Sequence, residues 1–123
     1  MLPLSFGLLL VAALIGNGLA ALHLRAERTA PPRWAFGAIH GLLGAIGLAT
    51  LFIALRGPPR GVAMGVGAFG RIAAVLLAMA LLAGLAIVAI RLRRRRVPGL
   101  VIGIHATLAV SGVVILAAYA LVG

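Results

Sequence analysis

A chain of 123 residues that is 64% hydrophobic, with a mean hydropathy of +1.27, cannot cover a soluble domain with polar surface. Apolar runs of about 20 residues do match the ~30 Å hydrocarbon core of a bilayer. With no cysteine, disulfides, thiolate metal sites and covalent c-type heme attachment are excluded. The charge of +10 comes from eleven arginines, no lysine and one acid, Glu27; the arginines lie between apolar spans, where topology and anionic lipid account for them and nucleic acid is not a partner.

The first span covers residues 2–24. It has no basic segment before it, and its positive charges follow it, so it reads as a retained span and not a signal peptide. Asn17 lies within it, and His23 sits at its end beside Arg25, where a polar side chain snorkels to the headgroups. Pro31-Pro32 mark the edge of the second span, 34–55, which opens at Trp34 and carries Ile39-His40-x-x-Leu43-x-x-x-Gly47. Gly37, Gly44 and Gly47 share one helical face with His40, and Gly37-x-x-x-Gly41 also fits close helix packing. The middle connection holds Pro58-Pro59 and Gly65-x-Gly67-x-x-Gly70. That glycine pattern matches the dinucleotide fingerprint in spelling only, since no strand precedes it and no acid follows; it reads as a flexible outer loop. The third span covers 72–90. The fourth covers 97–122, with Pro98 at its edge, and repeats the earlier pattern as Ile104-His105-x-x-Leu108-x-x-x-Gly112.

Arg25, Arg28, Arg33, Arg91, Arg93, Arg94, Arg95 and Arg96 flank the first and third connections, and Arg56, Arg60 and Arg71 the second. Eight against three places the first and third connections in the cytoplasm and both termini outside. Trp34 and Tyr119 then fall at opposite interfaces, as members of aromatic belts. The bias to Ala, Gly, Arg and Pro without Lys points to a GC-rich bacterium, hence a bacterial inner membrane. The expected fold is an all-α integral membrane protein, a four-helix transmembrane bundle in one domain. It reads as a duplicated hairpin: the second and fourth spans align at an offset of 65, the first and third at 68, with Gly16 on Gly84 and Arg25 on Arg93. Such halves are related by a pseudo-twofold along the membrane normal.

Ionisable groups at membrane depth are functional by default. His40 lies six residues inside its span and His105 eight, roughly 9–12 Å below the cytoplasmic interface. Matched depth implies one ligand shared between two helices, as in bundle sites generally. Gly44, Gly47 and Gly112, with Ala109, leave room for a flat macrocycle; Arg33, two turns before His40, can pair with a propionate; Asn17 can bond a ligand or the second imidazole nitrogen. The competing use of the histidines and Asn17 is interhelical hydrogen bonding, and of the glycines close packing. A chlorin or a transition metal would use the same imidazoles, but with no carboxylate in the bilayer a non-heme catalytic metal is disfavoured.

Segments 37–47 and 102–112 together resemble bis-histidine membrane cytochromes b, in which four-helix cores hold heme between histidines of different helices. The resemblance implies heme b ligated by His40 and His105, and electron transfer to or from a quinone or partner protein. Many such proteins carry two histidine pairs; here His23 is the one spare histidine, so one heme is expected and a partner must complete any path across the membrane. The alternative is a cofactor-free accessory or assembly subunit of a larger respiratory or photosynthetic membrane complex. A proton-coupled exporter of this size needs an acid within the membrane, and Glu27 lies outside the spans. A homodimer that brings two sites together is compatible with either reading. No carboxylate pair, Ser/His/Asp set or phosphate loop supports hydrolysis or group transfer.

Overall fold

The computed structural model describes residues 1–25 and 34–122, apart from the Leu24 side chain. It contains α1 (Leu2–Arg25), α2 (Trp34–Ala54), a 3₁₀ turn (Val62–Met64), α3 (Phe69–Leu92) and α4 (Gly99–Val122). Each of the four long helices is long and apolar enough to cross a membrane, so this is a multi-pass protein with four spans. Two starts differ from the sequence expectation. α3 begins three residues earlier, at Phe69, because Gly70 and a single arginine do not interrupt the helix and Arg71 can reach the interface from its first turn. α4 begins two residues later, at Gly99: the Pro98 carbonyl accepts the N–H groups of Val101 and Ile102, while its ring bars extension towards the arginines.

α1 packs along α2 and α3 along α4; the two hairpins join through α1 with α4 and α2 with α3. α2 and α4 therefore lie diagonally across the bundle. The duplication is written in the buried positions. On α1 these are Leu2, Ser5, Leu9 and Ala12, and 68 residues on, α3 buries Gly70, Ala73, Leu77 and Ala80. On α2 they are Gly47, Leu48 and Leu51, and 65 residues on, α4 buries Gly112, Val113 and Leu116. Even the knobs correspond. A methyl added at Gly47 would stand 2.8 Å from Leu9 Cγ, and one at Gly112 would stand 2.7 Å from Leu77 Cγ. In lipid this packing is dispersion and close backbone approach rather than a hydrophobic effect.

These core residues occupy only the half of the bundle nearest the 55–68 connection. Across 16–25, 34–46, 81–92 and 99–111 no described residue is buried. The connection itself turns at Gly61 (φ 64°) and Gly65 (φ 77°), which bracket the 3₁₀ turn in left-handed conformations that glycine adopts without steric cost. It is a hydrogen-bonded turn rather than a loose loop: the N–H groups of Met64 and Val66 both reach the Gly61 carbonyl. Trp34 is exposed as an interfacial anchor would be, but Tyr119 is not one. Its ring is 4% exposed, packed against Gly70, and its hydroxyl accepts the Arg60 N–H at 3.2 Å. A backbone donor at the bundle end lets the phenol be buried with its oxygen satisfied.

Candidate functional site

Each histidine is seated by the neighbouring helix of its own hairpin. His40 Nδ1 donates to the Ala12 carbonyl of α1 at 2.8 Å, and His105 Nδ1 donates to the Ala80 carbonyl of α3 at 2.8 Å. A carbonyl can only accept, so Nδ1 carries a proton, and in the neutral tautomer that bond selects, Nε2 has the lone pair. One turn further along each supporting helix lies a glycine on which the ring rests. A methyl on Gly16 would come within 2.6 Å of His40 Cε1, and one on Gly84 within 3.1 Å of His105 Cε1. Ala12, Gly16 and His40 thus form one unit, and Ala80, Gly84 and His105 its copy, at the same offsets of 68 and 65 that relate the cores.

The units face each other. With α4 starting at Gly99, both histidines stand six residues past the start of their helices (34 to 40, 99 to 105). Their ring centroids are 5.8 Å apart, with ring planes at 85°. Neither Nε2 makes a hydrogen bond among the described residues, and neither is sealed inside protein. The pair stands where the closely packed part of the bundle ends; beyond it the helices bury no described residue across 16–25, 34–46, 81–92 and 99–111, although Val97 in the connection before α4 is buried. Half-burial repeats there as well, at Gly37, Leu43 and Gly44 on α2 and at Ile102, Leu108 and Ala109 on α4.

The other residues singled out in the sequence fall differently. Gly44 has open space where a side chain would start. Gly47 and Gly112 do not border the imidazoles' free space; they hold Leu9 and Leu77. Asn17, next to Gly16, is exposed and makes no side-chain hydrogen bond among the described residues. His23 is exposed. Arg33 lies outside the described residues. Reading α2 and α4 by themselves misses the carbonyl and glycine seats on α1 and α3. The alignment of Gly16 with Gly84 was the signal for them.

Among the described residues no three His, Cys, Asp or Glu side chains come together. Two neutral imidazoles alone do not complete the coordination of a bare divalent ion. They suit a metal that brings its own equatorial donors. Compared with protein-family models, with curated proteins and with solved structures, the chain matches none.

Proposed function

We propose that the chain is a small membrane cytochrome b, holding one b-type heme between α2 and α4 through His40 and His105. The observation that carries this reading is the opposed pair of Nδ1-anchored imidazoles with free Nε2 atoms. The ring centroids are 5.8 Å apart, a separation at which His40 and His105 could both reach one metal ion. The carbonyl bonds fix the tautomer and ring direction, as such partners do in metal sites. Across 34–46 and 99–111 every position is half-buried or exposed, which is compatible with a large apolar group between α2 and α4 there.

Heme supplies a one-electron couple whose potential follows axial ligands, burial and hydrogen bonding. The protein holds the imidazoles, closes one side of them with the packed part of the bundle, and sets the depth. At six residues into each helix, the site lies about 9 Å beneath the arginine-rich end. By the charge asymmetry that end is cytoplasmic, in a bacterial inner membrane, with both termini outside. A single site at that depth serves a quinone or partner protein on one side and does not bridge the bilayer alone.

The test is colour. Protein purified from heme-replete cells is expected to show b-type bands in a reduced-minus-oxidised spectrum. His40→Ala and His105→Ala are expected to abolish them, and His23→Ala to leave them unchanged. A colourless protein refutes the proposal. A second reading, a cofactor-free accessory subunit of a larger complex, draws on the same pair: 5.8 Å at 85° also falls within the range of an edge-to-face aromatic contact. It predicts no bands, and co-purification with other membrane subunits in mild detergent.

A further inference from the structure

The turn between α3 and α4 carries a conformational anomaly. α3 ends in a Schellman motif: the Arg95 N–H reaches back to the Ile90 carbonyl at 3.2 Å and the Arg94 N–H to the Arg91 carbonyl at 2.8 Å. The motif needs a left-handed residue at its centre, a place usually taken by glycine. Here it is Arg94, with φ 54°, the one non-glycine residue with positive φ among those described. The chain uses glycine at both left-handed positions of the 55–68 connection, so a branched backbone at Arg94 is not a matter of composition. An arginine stands where glycine would be the less strained choice, which points to a use for the side chain.

Arg91 and Arg93 to Arg96 are all exposed, and one acid in the whole sequence cannot neutralise them. Four residues after Arg96 a groove begins on the outer face of α4. It is a shallow, open depression of about 390 Å³ lined by α4 alone, by Leu100, Gly103, Ile104, Thr107 and Leu108. Leu100 and Ile104 are exposed, so the groove opens to the bilayer. It runs down the first turns of the helix from the end at which the arginines stand. Cations at the headgroup level with an open apolar depression leading from them towards the hydrocarbon match one occupant. That occupant has a phosphate at its head and an acyl chain below.

We infer that Arg94, Arg95 and Arg96, with the groove from Leu100 to Leu108, form a binding site for an anionic phospholipid of the surrounding leaflet. The site is independent of the histidine pair and stands whether or not heme is bound. Gly103 leaves the groove open: a side chain there would meet nothing within 4 Å, so it can be filled without disturbing the fold.

The test uses the full chain in mild detergent, equilibrated with matched phosphatidylglycerol and phosphatidylcholine and then washed, with co-eluting lipid quantified. The protein is expected to retain phosphatidylglycerol selectively. R94G is expected to lower that retention about fivefold, the effect of one cation near an anionic headgroup, while its Tm stays the same or rises. G103L is expected to lower retention with every arginine in place. Equal retention of the two lipids, unchanged retention in either variant, or a fall in Tm for R94G would overturn the inference. So would displacement of the lipid by inorganic phosphate, which would mark a free-anion site.

Discussion

At the scale of single residues, the site depends on two glycines as much as on two histidines. Each imidazole lies against a Cα that has no side chain, and the two clearances differ: 2.6 Å for a methyl on Gly16, 3.1 Å for one on Gly84. A contact under 3 Å forces the ring to move, whereas 3.1 Å calls for a shift of a few tenths of an ångström. Gly16→Ala is therefore expected to lower heme occupancy markedly, measured as heme per chain after purification, and Gly84→Ala to lower it less. Equal occupancy in both variants and the parent would show that the rings do not need these seats. The histidines were legible because a charged-capable side chain in an apolar run stands out, and their repeated spacing set them at equal depth. The Ala12 and Ala80 carbonyls were not, since every residue has a carbonyl and only the helix neighbour decides which one a ring meets. Asn17 was singled out by its depth, and depth does not fix the side of a helix; in the structure it is exposed.

Among elements, the unit of construction is the hairpin. Gly47 and Gly112 were read in the sequence as clearance for a ring because they share a face with the histidines two turns away. In the structure Leu9 and Leu77 fill them. A glycine two turns along a helix meets whatever the neighbouring helix offers, and one helix's face cannot say what that is. The paired offsets could have: 47 and 9 recur as 112 and 77. Gly47→Ala is expected to destabilise the first hairpin by about 1–3 kcal/mol through overpacking, and Gly112→Ala the second by a similar amount. Leu9→Ala and Leu77→Ala in the same chains should recover part of the loss. Thermal unfolding in detergent measures both, and purely additive effects would contradict direct packing.

For the whole molecule, the four spans and their order followed from apolar length, while the uneven packing did not. Residues 16–25 are more polar than 2–15 because they hold Asn17, His23 and Arg25, but each span is still apolar enough to cross as a whole, so apolar length alone does not reveal where the helices pack closely. The account expects the two halves to behave differently. Leu51→Ala and Leu116→Ala, in the packed half, should cost about 2–5 kcal/mol each yet leave heme bound in the folded protein. Tyr119→Phe should cost about 0.5–1.5 kcal/mol by removing the acceptor of the Arg60 N–H. Amide exchange across 34–46 and 99–111 should be fast in heme-free protein and slow once heme is added, with 47–54 and 112–119 protected in both. The most direct measurement is a titration of heme-free protein with hemin in detergent, followed by absorption. The account predicts saturation at one heme per chain with a six-coordinate, low-spin spectrum, and weaker five-coordinate binding in His40→Ala or His105→Ala. Binding that never saturates, or a spectrum indifferent to both substitutions, would contradict it.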